Sequence, residues 1–505
     1  MIASLLLAAA AAAPQGRLVV LVVVDQLRYQ DVLWLAPELG PNGFAGLGRA
    51  APMRYETAVT ETAPGHATLS TGTYADLHGI VANRFPQGGR EQEAVDDPAC
   101  PVWGVKRGKS ANALRVPTVG DALKLNTGGK ARVVAVSVKD RSALFLAGPS
   151  ADVALWWEAE TGEMASSTCY APGPPPWLPR RSAEAYKDWI WTMSRPDAIA
   201  RLLPDPGRVA SPADDIGPSF PHRVGKGTLD ARLYRAIFDT PAATAIALRS
   251  ARAAVAALKL GESGTTDLLT VSIAAIDTVG HQFGTLSHER VDAVLRTHEE
   301  LSTFLGELRA RLGRRLSIVL TGDHGLNPSD ADEKRLRVTQ GGTVALDELI
   351  PRLNRALAEA VGERPDGWVA SIDANALTLR TPFPPRALEV ATDVLRREPG
   401  IWKVVPASEI EKAEPFIRHA YFPGRSGHVL LVVRPLWTIK RRNYAADHGT
   451  PWNDDSLVPL MVQSALFRLR RDPQFRATQV APTVAALLET SPPAAAFDSV
   501  AIEQP

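Results

Sequence analysis

The feature that most limits how this chain can fold is a set of strand-length runs that stay apolar at consecutive positions. Four of them close on aspartate: RLVVLVVVD (17–25), RVVAVSVKD (132–140), DLLTVSIAAID (267–277) and LSIVLTGD (316–323), with VPLMVQS (458–464) following late in the chain. A strand that is apolar on both faces needs cover on both faces, which a mostly parallel sheet flanked by helices supplies. Helical candidates do intervene: DARLYRAIFDTPAATAIALRSARAAVAALKL (230–260), HERVDAVLRTHEELSTFLGELRARLG (288–313) and VAPTVAALLE (480–489), the last with Pro482 in its first turn. The expected class is therefore α/β. In open sheets of that class ligands bind beyond the carboxyl ends of the strands, so the terminal acids are the first place to seek chemistry.

Two stretches break the rhythm. Residues 148–227 are rich in Pro and Trp with weak periodicity and read as an irregular insertion, while 342–435 read as a small α+β cap built from strand-helix-strand patterns. The core is then expected in three parts, 17–147, 228–341 and 436–505. Trp156, Trp157, Trp177 and Trp191 either shape a pocket under the insertion or join its core, and core is the commoner fate of clustered aromatics.

A formal charge of +1 over 505 residues excludes a strongly basic nucleic-acid binder, and the short runs RLRR (468–471) and IKRR (439–442) read as solvated surface. The amino terminus MIASLLLAAAAAAPQGR carries a short apolar run with small residues suited to cleavage near Ala13, so residues 1–13 read as a secretory signal and the chain as exported, to the periplasm or medium. No integral membrane segment is expected, because that run is too short to span a bilayer. Cys100 and Cys169 either pair in an oxidising compartment or remain buried thiols.

Acids and histidines recur at the strand ends. Asp277 and His281 stand four apart in IDTVGHQFG, Asp323 and His324 are adjacent in LTGDHGLN, His448 lies in ADHGTPWND, and Asp25 closes the first run in VVVDQLR. Three carboxylates with three imidazoles and no cysteine suit Zn²⁺ or a similar divalent ion, and six ligands suit a pair of ions about 3.5 to 4 Å apart. ETAPGHATLSTG (61–72) adds hydroxyls at a helix start: Pro64 fits a first turn, Thr62 falls at or near the N-cap, and free N–H groups there favour an anion. Thr60 is a second hydroxyl two residues earlier. Gly65 is read as giving room for backbone and phosphate to approach, and His66 as a structural residue that hydrogen-bonds within the turn. Lys139 and Arg141, two apart after a strand, would share a face if the strand continued.

With VVVDQLR, TETAPGHATLSTGTYADLHGIVAN, VSVKDRSA, IDTVGHQFG, TGDHG and DHGTPWND in order between about Leu18 and Leu488, the chain resembles the alkaline phosphatase superfamily in its Thr-nucleophile branch. The PafA-type phosphate monoesterases are most similar, with nucleotide pyrophosphatases/phosphodiesterases as cousins. The resemblance implies an alkaline phosphatase-like fold and two Zn²⁺ ions, one held by Asp277, His281 and His448. The other would be held by Asp25, Asp323 and His324 beside the Thr62 oxygen, which it singles out over Thr60 as the nucleophile of a phospho-threonine mechanism. Asn83 would donate to a nonbridging phosphate oxygen, and Lys139 and Arg141 would favour monoester dianions among small phosphate esters. A type I phosphodiesterase is the alternative within the superfamily, and an inactive metal- or phosphate-binding protein the alternative outside enzymology. A sulfatase is disfavoured, because CPVWG lacks the Cys-x-Pro-x-Arg pattern.

Overall fold

The computed structural model describes residues 16–40, 43–87, 90–205, 216–338, 340–440 and 444–504. The expected signal at 1–13 lies outside them. Among the described residues no helix is long and apolar enough to cross a membrane.

The centre is a nine-stranded sheet. Its strands are β1 (Leu18–Val24), β2 (Ala51–Arg54), β3 (Val133–Val136), β4 (Val153–Glu158), β5 (Glu163–Ala165), β6 (Asp267–Ile273), β7 (Leu316–Thr321), β8 (Leu457–Gln463) and β9 (Phe475–Arg476). They lie in the order β9-β2-β8-β7-β1-β6-β3-β4-β5. The expected α/β class and mostly parallel sheet are borne out: β1 runs parallel to β6 and β7, β6 to β3, and β3 to β4. The late apolar run, β8, pairs antiparallel with β7 and β2, and the short β5 antiparallel with β4. Every residue of β1 is buried, and its faces divide between two cores: Val20, Val22 and Val24 pack on one side, Val19, Leu21 and Val23 on the other. Alternation along a strand with cover on both faces is what the uninterrupted apolar runs require.

The helices that matter for the site are α1 (Thr62–Thr71), α2 (Asp140–Ala147), α3 (Ala242–Leu258), α4 (Ala275–Phe283), α5 (His288–Leu312) and α6 (Val480–Leu487). The long pattern at 230–260 is not one helix: Ala231–Phe238 and α3 are separate, split around Pro241, which cannot continue a helix from the preceding turn. Residues 148–227 also differ from expectation, since they open with β4 and β5 in the central sheet. Trp156 and Trp157 sit in β4 and Trp191 fills the core beside α5, its indole N–H donating to Asp292 at 2.7 Å, so these three join the core rather than shape a pocket. Trp177 is partly buried against the same core. Cys100 and Cys169 are joined in a disulfide.

Between β7 and β8 the chain forms a four-stranded antiparallel sheet of Val369–Asp373, Ala376–Leu379, Val429–Val433 and Ile401–Pro406. Helices Leu346–Val361 and Pro385–Arg396 give it a core of its own through Leu349, Leu353, Leu357, Ala391 and Leu395. Trp437–Lys440 pairs with Gly342–Ala345, which carries Lys440 of the IKRR run inward. Lys440 is buried and donates to the Ala445 carbonyl, contrary to the surface reading, because its strand has a partner.

Candidate active site

The carboxyl ends of β1, β6 and β7 deliver the acids to one edge of the sheet. Asp25 follows β1 directly, and its N–H donates to Ile273 O at the end of β6, 2.9 Å away. Asp277 does not close its strand: β6 stops at Ile273 and Asp277 lies in the first turn of α4, so His281 reaches it by one helical turn rather than by a folded-back loop. Asp323 and His324 occupy the turn after β7, where Gly325 passes so close to Asp454 O that a Cβ would lie 1.9 Å from it. His448 stands in the loop before β8, ahead of Gly449 at φ +113°.

These residues converge as two groups whose ligand atoms lie within 4.8 Å of one another, Asp277, His281 and His448 in one, Asp25, Asp323 and His324 in the other. Asp277 Oδ1 lies 3.3 Å from His281 Nε2 and 3.7 Å from His448 Nε2. His324 Nε2 lies 3.3 Å from Asp25 Oδ1 and 3.4 Å from Asp323 Oδ2. Each imidazole donates its Nδ1–H to a backbone carbonyl: His281 to Ala446, His324 to Gly325 and His448 to Thr60, at 2.8 to 3.0 Å. That bond fixes Nδ1 as a donor and turns every Nε2 toward the carboxylates, the nitrogen a metal would take once it carries no proton. Asp25 Oδ1 and Asp323 Oδ2 are buried with no hydrogen-bond donor, a costly arrangement that a cation resolves. The donor set therefore fits divalent ions bound by oxygen and nitrogen.

Thr62 is the first residue of α1, not its N-cap. Glu61 holds that position, and the N–H of Ala63 is capped from outside by Asn83 Oδ1 at 2.9 Å. The Thr62 hydroxyl is thereby left for other work, 3.4 Å from His324 Nε2 and 3.3 Å from Lys139 Nζ. Thr60 instead spends its hydroxyl on Thr450 O at 2.8 Å. Asn83, held by its Oδ1 and by its N–H to Glu61, keeps its amide N–H₂ for the cavity it lines. His66 bonds the Thr62 carbonyl at 2.8 Å, as expected of a turn residue, and also faces Asp323 at 3.2 Å. Gly65 serves a different approach from the expected one. A Cβ there would lie 2.6 Å from Asp323 O, so the missing side chain lets α1 rest against the ligand turn.

Lys139 and Arg141 do not extend a strand: β3 ends at Val136, Lys139 caps α2 and Arg141 lies in its first turn. Both still face one cavity of about 630 Å³, with Thr62, Asn83, Asp277, His281 and His448. Lys139 is buried between the groups, its Nζ donating to Asp25 Oδ2 at 2.7 Å and to Asp277 Oδ2. Arg141 has a buried Nε without a partner. None of the tryptophans considered above lines this cavity; its aromatic contacts are Phe238 and Tyr444.

Charge explains the titration behaviour. Burial, then Asp277 and Asp323, pushes the Asp25 carboxyl up to about 6 against the pull of Lys139. Burial works in the same direction on Asp277, but Lys139 and His281 outweigh it and hold that carboxyl well below its usual range. His448 is driven down by burial and by His324 and His281, which keeps it neutral. His281 is lowered by burial but raised more by Asp277, to about 9, so binding an ion there releases a proton.

The sequence matches the type I phosphodiesterase / nucleotide pyrophosphatase family over residues 19–453. The chain belongs to that family. As a member of the type I phosphodiesterase family, within the alkaline phosphatase superfamily, it is also similar to alkaline phosphatase PhoV of Synechococcus elongatus, 27% identical over 96% of this chain and 92% of that protein. Alkaline phosphatase PafA of Elizabethkingia meningoseptica is 26% identical over 96% of this chain and 94% of that protein. The crystal structure of wild-type PafA shares the fold, with a TM-score of 0.87 at 24% identity over 97% of this chain and 99% of the other.

For this type I phosphodiesterase family member, sequence reasoning missed Gln26, which touches Asp277 and Asp323, and Asn375, whose amide donates to Gly449 O at 2.6 Å. It also missed Asp447, whose carboxylate lies 3.7 Å from His281 Nδ1. Gln26 and Asp447 directly adjoin Asp25 and His448 of the two Asp/His groups, which was the available signal; Asn375 comes from the inserted sheet and had none.

Proposed function

We propose that the chain is an exported, two-zinc alkaline phosphatase that hydrolyses phosphate monoesters through a phospho-threonine at Thr62. The observation that carries this reading is the Thr62 hydroxyl at the start of a buried helix, 3.4 Å from His324 of one Asp/His group and 3.3 Å from Lys139, which bonds an aspartate of each group. Zinc held by Asp277, His281 and His448 and by Asp25, Asp323, His324 and the Thr62 oxygen would supply Lewis acidity toward phosphate oxygens and favour the Thr62 alkoxide.

The chain's own groups do the rest. Thr62 Oγ1 attacks phosphorus in line as the bond to the leaving oxygen breaks on the opposite side. Asn83, Arg141 and Lys139 hold the nonbridging oxygens, and the free N–H groups of α1 favour the anion. Water then attacks the phospho-threonine, frees inorganic phosphate and restores the hydroxyl. Lys139 and Arg141 favour the monoester over the diester reading, since a monoester carries the additional charged oxygen that cations select. Export rests on the apolar start of the sequence and on the Cys100–Cys169 disulfide, which suits an oxidising compartment.

The test compares an aryl phosphate monoester with its diester, using zinc-loaded and chelator-stripped protein. Monoester preference that vanishes on chelation is the expected result; a diester preference would overturn the assignment. Thr62→Ala should abolish turnover with ions still bound, and unchanged turnover would remove Thr62 as the nucleophile.

A further inference from the structure

Gln26 is fully buried at φ +66°, a left-handed conformation that few non-glycine residues adopt. Its backbone N–H donates to Asp323 Oδ1 at 3.1 Å, while its side-chain Nε2 donates to Asp277 Oδ1 at 3.0 Å. One residue thus bonds a carboxylate from each of the two ligand groups and is covalently joined to Asp25, a third. The Asp277 oxygen it takes is the one that faces His281 and His448.

The residue is itself held in place by its surroundings. Its carbonyl accepts from Arg290 Nη2 at 3.1 Å, and Arg290 pairs with Asp31 at 2.7 Å, which also pairs with Arg28 in the same loop. Gly280, between Asp277 and His281 on α4, leaves the space for the amide: a Cβ there would lie 2.1 Å from Gln26 Oε1. Reversing the amide would set Oε1 against the Asp277 carboxylate, so the donor faces the ligand and the oxygen faces the glycine.

We propose that Gln26 is a positioning residue that couples the two metal sites, its amide orienting Asp277 and its backbone N–H orienting Asp323, so that ordering one carboxylate orders the other. The inference rests on the two-metal reading above, but not on phosphate chemistry. Partners of this kind commonly govern about 10 to 100-fold of metal affinity.

The experiment measures zinc affinity of the full chain by competition with a chromogenic chelator, for wild type, Gln26→Met and Gln26→Asn. Methionine keeps the length and removes the donor; asparagine keeps the left-handed backbone and is too short to reach. Both should bind zinc about 10 to 100-fold more weakly at the Asp277 site. In a His448→Ala background, which cripples that site, the same substitutions should change the remaining affinity far less. Melting of chelator-stripped protein serves as the fold control. Wild-type affinity in both variants would overturn the proposal, as would equal losses in the two backgrounds or losses that merely follow a collapse in apo stability. A chain with Gln26-dependent zinc binding and no phosphatase activity would sustain this inference while refuting the function proposed above.

Discussion

Gly65→Ala tests the packing of α1, which carries the proposed nucleophile Thr62, with the smallest available perturbation. Gly65 lies inside α1, where replacing glycine by alanine ordinarily stabilises by about 1 kcal/mol. Here the added Cβ would sit 2.6 Å from Asp323 O, 3.1 Å from Asp323 Cβ and 3.2 Å from Asp323 C, all buried and mostly backbone. Restoring van der Waals contact requires α1 and the ligand turn to part by roughly 0.8 Å. Overpacking of this kind costs about 1–3 kcal/mol, so the propensity gain and the clash leave stability lowered by about 0–2 kcal/mol. Activity should suffer much more. The same shift separates Thr62 from His324, now 3.4 Å apart, and a misplacement near 1 Å costs about 100-fold in rate. The assay is kcat/KM for an aryl phosphate monoester at saturating zinc, alongside the apo melting temperature. Gly306→Ala is the control, because Gly306 on α5 has nothing within 4 Å of its missing Cβ. It should gain stability and keep activity. Wild-type kcat/KM in Gly65→Ala would refute the reasoning, since the helix would then tolerate displacement from the ligand turn.

Lys139→Met should destabilise the chelator-stripped protein at pH 8 by about 3–5 kcal/mol, because it leaves Asp25 and Asp277 buried beside each other without their ammonium. The deficit in thermal melts should shrink toward pH 5 as Asp25, already pushed up to about 6, takes a proton; a pH-independent deficit would contradict the role as counter-ion. Arg141→Ala should lower monoester kcat/KM much more than diester kcat/KM, and equal losses would mean that Arg141 does not read the extra charge. Asp31 is raised by burial but held lower still by Arg28 and Arg290, so its pairing stabilises the fold fully above the ordinary aspartate value near about 4 and is lost as pH falls through its depressed one. Asp31→Asn should therefore cost about 3–5 kcal/mol in urea melts at pH 7, with the gap to wild type closing below about pH 4. A gap that persists in acid would show that the loss is one of packing.

The sheet and much of the site were legible in the sequence because both depend on local rules. Strands with apolar residues on both faces need two covered faces, and β1, β3, β6 and β7 have them. The acids after those strands fall at the carboxyl edge by the handedness of parallel connections, so Asp25, Asp323 and His324 needed little more than counting. The sequence by itself thus determined the architecture and the inventory of donors at its edge. Tertiary structure decided how each donor is used. Asp277 and His281 meet across a helical turn because β6 ends early, and Lys139 lies between carboxylates because α2 starts where a longer strand was expected. Lys440 turned inward once its strand found a partner some 95 residues away, and Gly65 proved to make room for Asp323 rather than for a ligand. Gln26 meets Asp277 and Asp323 more than 250 residues along the chain, and its place next to Asp25 could mark it as near the site without telling which carboxylates it would reach. Its role depends on a side-chain amide and a backbone N–H pointing in set directions, and directions of that kind exist only once distant segments have packed.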